Sequence, residues 1–159
     1  MGKITKCGSN DVDKLTPLLA KFRVELQAFN GICAPEDYES AKGELLEFFK
    51  ADFPIYAYEE DGRYLGYIVC KADGAVWVEQ LYVSSERQGS GIAGELFGIA
   101  ESLAAPDTLF NWVHPNNDAM IGFLAKMGYN VLNLIEIRKK CEGDISRGKI
   151  VVGSNEFDY

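Results

Sequence analysis

The stretch that decides the fold runs from Ala75 to Ala104 and reads AVWVEQLYV-SSERQ-GSGIAGELFGIAESLA. Its first part, Ala75–Val83, is rich in β-branched and aromatic residues, which indicates a strand. Its last part has apolar residues at helical spacing, and they predict a helix with an inward face formed by Ile92, Leu96, Ile99, Ala100 and Leu103. Between the two lie Gly89, Ser90 and Gly91.

This glycine turn between a strand and a helix favours the binding of an anion. The first N–H groups of a helix have no partner inside it, and the helix dipole adds positive potential at that end. Glycine lets a phosphate approach the backbone closely, because it has no Cβ atom. We therefore expect a phosphate-bearing ligand, and a diphosphate in particular, at the N-terminus of the helix that starts near Gly91.

Elements on both sides of the stretch predict an antiparallel meander with helices before and after it. Two helices precede it, with inward stripes of Leu15, Leu18, Leu19, Phe22, Leu26 and Phe29 in the first and of Tyr38, Ala41, Leu45, Phe48 and Phe49 in the second. Lys3–Cys7 predicts a short first strand before these helices. After the helices, three strands follow one another at Phe53–Glu59, Tyr64–Lys71 and Ala75–Val83, and the Asp61-Gly62 pair favours a tight hairpin between the first two of these three.

After the central stretch, Thr108–Val113 predicts a strand parallel to Ala75–Val83, and Asn117–Met127 predicts a helix. Val131–Lys139 and Lys149–Phe157 predict a closing hairpin. The whole predicts an α/β (α+β) fold with a mixed, mostly antiparallel central sheet of about seven strands flanked by four helices.

The letters of Gly89–Gly94 also fit the dinucleotide pattern G-x-G-x-x-G, but their context does not. That pattern requires the strand to run almost directly into the first glycine, and an acidic residue about 20 residues later. Here Ser84–Gln88 intervene, and the next predicted strand ends at Val113-His114 without an acid. Together with the antiparallel meander, this disfavours a nucleotide oxidoreductase.

The same turn meets a second pattern, Q/R-x-x-G-x-G/A, in Gln88–Ala93. The run Leu81–Ala93 resembles the acyl-CoA signature of the GNAT superfamily of N-acetyltransferases. Downstream, Asn117-Asp118-Ala119 followed by Gly122–Tyr129 resembles that family's asparagine-containing helix and its terminal Gly-aromatic pair. The resemblance covers roughly Ile55–Lys139, and it implies a GNAT-like fold with acetyl-CoA as cosubstrate.

Length and composition set the remaining limits. The 159 residues predict a single domain, 1–159, with no bilayer-spanning run and no signal peptide, so we expect a cytoplasmic protein without a membrane partner. A net charge of −8 argues against nucleic acid and permits a cationic amine. Four scattered cysteines and one histidine predict neither a metal site nor a disulfide framework.

The resemblance implies a site where the parallel pair of strands splays apart and the pantetheine arm lies between them as a false strand. Its cofactor-binding residues would be Leu81, Val83, Gln88, Gly89, Ser90, Gly91, Ile92, Ala93 and Asn117. Glu79 matches the family's glutamate two residues before Leu-x-Val and is our candidate base. Regular strand alternation gives it one face with Trp77, Leu81 and Val83, where desolvation should raise its pKa.

The proton donor is left open by the sequence. Many family members have a tyrosine four residues before the glycine that closes the last helix, but here Leu124 precedes Gly128 at that spacing. Water, Tyr82 or His114 could protonate the leaving thiolate, and of the side chains we prefer Tyr82. Asn117 could cap its helix as well as contact the cosubstrate.

The predicted function is an N-acetyltransferase that moves the acetyl group of acetyl-CoA to a primary amine of a small molecule or peptide by direct attack. By the resemblance, the Phe29–Asp37 link could help to select that acceptor. The alternative, supported by Leu124, is a CoA-binding regulatory module without transfer activity. The last predicted strand could pair across two copies, so a homodimer is compatible with the sequence.

Overall fold

The computed structural model describes residues 2–159, which form a five-stranded sheet, a two-stranded sheet and four α-helices. In chain order the elements are β1 (Lys3–Lys6), a 3-10 turn (Ser9–Asp11), α1 (Val12–Phe29), α2 (Tyr38–Lys50), β2 (Ile55–Glu60), β3 (Arg63–Asp73), β4 (Ala75–Val83), a 3-10 turn (Ser85–Arg87), α3 (Ile92–Ala104), β5 (Leu109–Asn111), α4 (Asp118–Lys126), β6 (Lys149–Val152) and β7 (Asn155–Asp158). Within residues 2–159, none of the helices combines the length and the hydropathy of a membrane-spanning segment.

The larger sheet has the strand order β1-β2-β3-β4-β5. Its first three pairs are antiparallel and β4–β5 is parallel, so the predicted meander and the predicted parallel crossover are both confirmed. The β2–β3 hairpin turns at Asp61 and Gly62, both with positive φ (51° and 76°). That backbone matches the twist of the two strands, which is why an Asp-Gly pair predicts it.

Helices cover both faces of this sheet. Tyr67 and Val69 on β3 belong to one buried cluster with residues of α1 and α2. Ile68 and Cys70, which alternate with them and are also fully buried, lie on the opposite face, where α3 contacts β3 and β4.

Helix stripes are predicted well near their centres and less well at their ends. Leu15, Leu19 and Leu45 are fully buried, as expected. Tyr38 is 49% exposed and Leu103 is 37% exposed, so their predicted inward positions are wrong. Tyr38 stands at the first residue of α2 and hydrogen-bonds to Glu36, because the first turn of this helix lies beyond the core.

By contacts the chain divides into a unit that ends at Phe123 and a second unit, Leu124–Tyr159. In the second unit, the predicted strand Val131–Lys139 is wrong, since these residues join no ladder and their apolar side chains are exposed. The predicted strand Lys149–Phe157 is two strands, β6 and β7, because Gly153 takes a positive φ of 62° and reverses the chain.

Candidate functional site

The feature that organises the site is a fork between β4 and β5. The two strands pair only from Val76, opposite Leu109, to Val78, opposite Asn111. Beyond that point β5 has ended, and β4 continues to Val83 with β3 on its other side. The β4–β5 ladder therefore ends at Val78 and Asn111, and within residues 2–159 no strand pairs with the β4 edge beyond Val78.

This free edge of β4 presents backbone groups of Leu81 and Val83. Consecutive residues of a strand direct their N–H and C=O groups to opposite sides, and the Ser84 N–H donates to the Leu65 C=O of β3 at 2.9 Å. Val83 and Leu81 therefore direct theirs away from β3, toward the fork. The Val83 C=O accepts from Gln88 Nε2 at 3.1 Å, which leaves the other groups for an extended ligand.

The turn from β4 to α3 has the backbone of an anion site. Gly89 and Gly91 have φ angles of +78° and +92°, and a Cβ on either would meet nothing within 4 Å. The first bond inside α3 joins the Glu95 N–H to the Gly91 C=O at 3.2 Å, so the N–H groups of Ile92–Gly94 have no partner in the helix. The N-cap residue, Gly91, has no side chain with which to cap this end, and the turn therefore fits a diphosphate.

Side chains of the turn hold its shape. Ser90 Oγ donates to the Arg87 C=O at 2.5 Å, and the Arg87 guanidinium pairs with Glu60 of β2. That hydrogen bond is the main cause that lowers the pKa of Glu60. Ile92 is 1% exposed, so its side chain anchors α3 and only its backbone can face a ligand. The exposed predicted residues are Gln88, Gly89, Ser90 and Gly91, and Ala93 is half-buried.

Glu79 occupies a β-bulge beside the fork. Val78 is opposite Cys70 and Gln80 is opposite Val69, so Glu79 has no partner residue of its own on β3. Its side chain is half-buried. Burial, with a smaller contribution from the Glu79 charge, raises the pKa of the Cys70 thiol to about 12.

The bulge corrects part of the sequence prediction. Trp77 is opposite Lys71 and Leu81 is opposite Ile68, and these β3 residues are three apart, so Trp77 and Leu81 lie on opposite faces. The shared face predicted for Trp77, Glu79 and Leu81 is therefore wrong. One extra residue in the strand changes which face every later side chain occupies.

Trp77 instead joins an aromatic stack at the fork. Its ring lies 4.9 Å from Phe110 at an interplanar angle of 26°, and 4.8 Å from Trp112 at 19°. Trp112 is 53% exposed. Residues of the stack come from both strands, so it holds β4 and β5 together where they still pair and reaches into the loop beyond β5.

Tyr82 faces α1. Its hydroxyl donates to the Glu25 carboxylate at 3.2 Å, and its side chain is 6% exposed. Burial first, and then the Glu25, Glu86 and Glu36 charges, raise the pKa of Tyr82. The hydroxyl therefore stays protonated at neutral pH, with the Glu25 carboxylate as its hydrogen-bond acceptor.

His114 lies in the loop that follows β5 and contacts the C-terminal end of α1. Its ring stacks on Phe29 at 5.5 Å. Its Nε2 lies 3.2 Å from Asn30 Oδ1, and its Nδ1 accepts from the Asn116 N–H at 3.1 Å. Both ring nitrogens thus have partners within the chain, which supports a structural role for the histidine.

Two predicted positions belong to α4, Asn117 just before its first residue and Leu124 within it. Asn117 Oδ1 accepts from the Met120 N–H at 3.0 Å, so Asn117 caps this helix as expected. Leu124 is 6% exposed. The position four residues before Gly128 is therefore apolar and buried.

The sequence did not indicate a buried polar network under β4. The Tyr67 hydroxyl donates to Gln80 Oε1 at 2.9 Å, and Gln80 Nε2 donates to Glu44 at 2.7 Å. Glu44 also pairs with Arg23 of α1. The sequence signal for this network is Gln80, a glutamine among apolar strand residues. Its hydrogen-bond partners, Tyr67 and Glu44, lie in other elements and could not be identified from the strand alone. No sequence pattern indicated a role for the side chain of Asn111, the last residue of β5.

Metal ligation has no support in the part of the chain that the structure describes. All four cysteines are free, with Cys7 and Cys70 buried and Cys33 and Cys141 exposed. No group of three metal-ligating side chains occurs within residues 2–159. A shallow cavity of about 550 Å³ lies at the start of β4 and the end of α3, away from the fork.

Comparisons with known proteins agree with this geometry. Residues 22–129 match the family model "Acetyltransferase (GNAT) family". No match was found among curated protein sequences.

Among solved structures, the fold is similar to that of the aminoglycoside N-acetyltransferase AAC(6')-Iy in complex with the bisubstrate analogue CoA-S-monomethyl-acetylneamine. In that pair the TM-score is 0.68 and the identity 14%, over 89% of this chain and 99% of the other. For the PaiA N-acetyltransferase of Thermoplasma acidophilum in complex with coenzyme A, these values are 0.66 and 20%, over 80% and 88%.

A third similar structure is a ribosomal-protein-alanine N-acetyltransferase from Brucella melitensis biovar Abortus 2308, with a TM-score of 0.67 and 15% identity, over 89% of this chain and 99% of the other. The region matched by the family model spans more than half of the chain and includes both the β4–α3 turn and α4. On these grounds the chain belongs to the Acetyltransferase (GNAT) family.

Proposed function

We propose that this chain transfers the acetyl group of acetyl-CoA to a primary amine by direct attack within a ternary complex. The observation that carries the proposal is the open fork of β4 beside the uncapped N-terminus of α3. The N-terminus of α3 offers N–H groups to a diphosphate, and the free edge of β4 offers backbone groups to an arm that contains amides. The family match crosses the boundary between the two units, so we treat 1–159 as one acetyltransferase domain.

The residues that would hold the cosubstrate are those of the turn and of the free edge. The backbone of Gly89–Ala93 would bind the phosphates, with Gln88 and Ser90 shaping the turn. Leu81 and Val83 would bind the arm through their backbone, and Asn117 would contact it from α4. When bound, acetyl-CoA supplies an acetyl group activated as a thioester.

The chain's own residues would supply the proton transfers and the charge stabilisation. Glu79, half-buried at the bulge, takes a proton from the incoming ammonium group, so that a neutral amine can attack. A backbone N–H of the free edge, from Leu81 or Val83, stabilises the charge that develops on the carbonyl oxygen. Tyr82, whose hydroxyl donates to Glu25, is the candidate proton donor to the sulfur as the carbon–sulfur bond breaks, and the proton that the attacking nitrogen then loses balances the one that Tyr82 gives.

The acceptor we propose is a small cationic amine. The chain carries a net charge of −8, and Glu25, Glu36 and Glu86 act on Tyr82 near the fork. Such a field attracts cations. Two of the similar structures are enzymes described as acting on aminoglycosides or on a ribosomal-protein alanine, so both small and peptide amines belong in the screen.

The first test is thermal unfolding with acetyl-CoA and, separately, with NAD as control. Ligand at about 100 times its dissociation constant adds about 2.7 kcal/mol, which raises the Tm of a chain of this size by roughly 5–10 °C. A rise with acetyl-CoA alone supports the proposal. A rise with NAD alone, or with neither ligand, contradicts it.

The second test separates the base from binding. Glu79→Gln should lower kcat by about 10²-fold or more, because general-base catalysis supplies about 10²–10⁴-fold, while CoA affinity stays unchanged. Glu47→Gln, an exposed residue of α2 with the same change in charge, is the control and should leave kcat unchanged. Equal turnover in both variants would remove Glu79 from the mechanism.

The runner-up function is a CoA-binding regulatory module, favoured by the buried Leu124 on α4. It predicts CoA binding without acetyl transfer to any amine. Tyr82→Phe addresses the missing donor directly: a drop in kcat with retained CoA binding assigns the proton to Tyr82, and an unchanged kcat removes Tyr82 as the donor.

A further inference from the structure

Asn111, the last residue of β5, has a buried oxygen without a partner. Its Oδ1 is inaccessible to solvent and accepts no hydrogen bond from any group within residues 2–159. Leaving a buried carbonyl unsatisfied destabilises the folded protein, and native proteins seldom do so without a reason. Asparagine is also disfavoured in strands, so neither the residue type nor its environment is explained by the sheet.

The position of Asn111 is the apex of the fork. Its backbone forms the last β4–β5 pair, with Val78 as its partner. Phe110, one residue earlier, directs its ring to Trp77, so Asn111 lies on the opposite face, together with Leu109. Leu109 and Val78 are each 3% exposed. An apolar side chain would suit this place better unless something in the fork needs an acceptor.

A ligand with N–H donors would satisfy this oxygen. The inference rests on the proposed function, in which an arm containing amide groups lies along the free edge of β4. We propose that the Asn111 side-chain carbonyl accepts a hydrogen bond from an amide N–H of the pantetheine arm and so fixes how deeply the arm enters the fork. Asn111 is then a binding residue that acts through its side chain, whereas Leu81 and Val83 act through their backbone.

The test compares two ligands on two variants by isothermal titration calorimetry. Asn111→Leu keeps the branched shape and removes the acceptor. Loss of one hydrogen bond of about 1.4 kcal/mol should weaken CoA binding about tenfold. Adenosine 3′,5′-bisphosphate, which has no arm, should bind the variant and the wild type equally. Thr108→Ala, an exposed change just before β5, should alter neither affinity.

Unfolding of the ligand-free protein in urea provides a second readout. Because Asn111→Leu removes an unsatisfied buried oxygen, its midpoint should equal or exceed that of the wild type. A purely structural role for Asn111 predicts a lower midpoint instead. Should the leucine variant fail to fold, Asn111→Ala undergoes the same titrations, with the same expected selective loss for CoA.

Each outcome has one meaning. Weaker CoA binding with unchanged bisphosphate binding supports the assignment. Equal CoA affinity in Asn111→Leu and wild type overturns it, and so does an equal weakening of both ligands, which would indicate distortion of the whole site. If the wild type itself does not bind CoA, the proposed function fails, and that result is distinct from the failure of the Asn111 assignment.

Discussion

Replacing Gly91 by alanine tests the backbone on which the anion site depends. Gly91 precedes α3 with a φ of +92°, and an L-residue with a side chain in the left-handed region costs about 1–2 kcal/mol. A Cβ there would meet nothing within 4 Å, so no steric clash adds to this cost. The expected loss is therefore backbone strain alone, about 1–2 kcal/mol.

Gly98 offers a matched control in the same helix. It lies in the middle of α3, and a Cβ there would also meet nothing within 4 Å. Glycine inside a helix is less stable than alanine by about 0.5–1 kcal/mol, so Gly98→Ala should stabilise the protein. The same chemical change at two positions of one element is thus expected to act with opposite signs.

Urea unfolding followed by circular dichroism measures both effects. The two variants should differ by about 2 kcal/mol, which corresponds to roughly 4–8 °C in Tm, with m-values equal to that of the wild type. A Gly91→Ala protein as stable as the wild type would refute the left-handed turn. A destabilised Gly98→Ala protein would refute the open space around the middle of α3.

Three further predictions concern the core, the buried network and the response to acid. Leu45→Ala should lower the free energy of unfolding by about 2–5 kcal/mol, since Leu45 is fully buried. Leu46→Ala, at a residue 46% exposed, should lower it far less. Similar urea midpoints for the two variants would show that α2 packs with another face toward the core. Tyr67→Phe should lower the free energy of unfolding by about 1–3 kcal/mol, because it leaves Gln80 Oε1 without its hydrogen-bond donor. An unchanged urea midpoint would contradict the presence of that hydrogen bond. A backbone N–H lowers the pKa of Asp11, so the ionised carboxylate stabilises the folded protein above about pH 4, and this stabilisation disappears as the pH falls through the folded pKa. The Tm difference between wild type and Asp11→Asn should therefore shrink from pH 7 to pH 3. A constant difference would contradict this.

The sequence predicts the elements near the phosphate turn well because their signals are local. Apolar residues recur at helical spacing through α1 and α3, and the Asp61-Gly62 pair can adopt the two positive φ angles that a tight hairpin needs. Gly89 and Gly91 indicate the phosphate turn because glycine readily adopts positive φ angles, which both residues have. Each of these properties depends on a few neighbouring residues and not on the rest of the chain.

Other parts could not be predicted because their causes lie far away in the chain. The alternation in Val131–Lys139 indicates a strand, but a strand forms only with a partner ladder, and none pairs with it within residues 2–159. The bulge at Glu79 arises from the register with β3, which no pattern on β4 alone reveals. The unsatisfied oxygen of Asn111 appears only once β4 and β5 are placed together.

The aromatic stack at the fork has a spectroscopic consequence. The chain contains two tryptophans, and Trp77 and Trp112 are stacked on each other. All of its tryptophan emission therefore originates from one pair of coupled indole rings at the end of the β4–β5 ladder. Such a pair makes the protein its own optical reporter, in which quenching or a spectral shift records events at the fork without an attached dye.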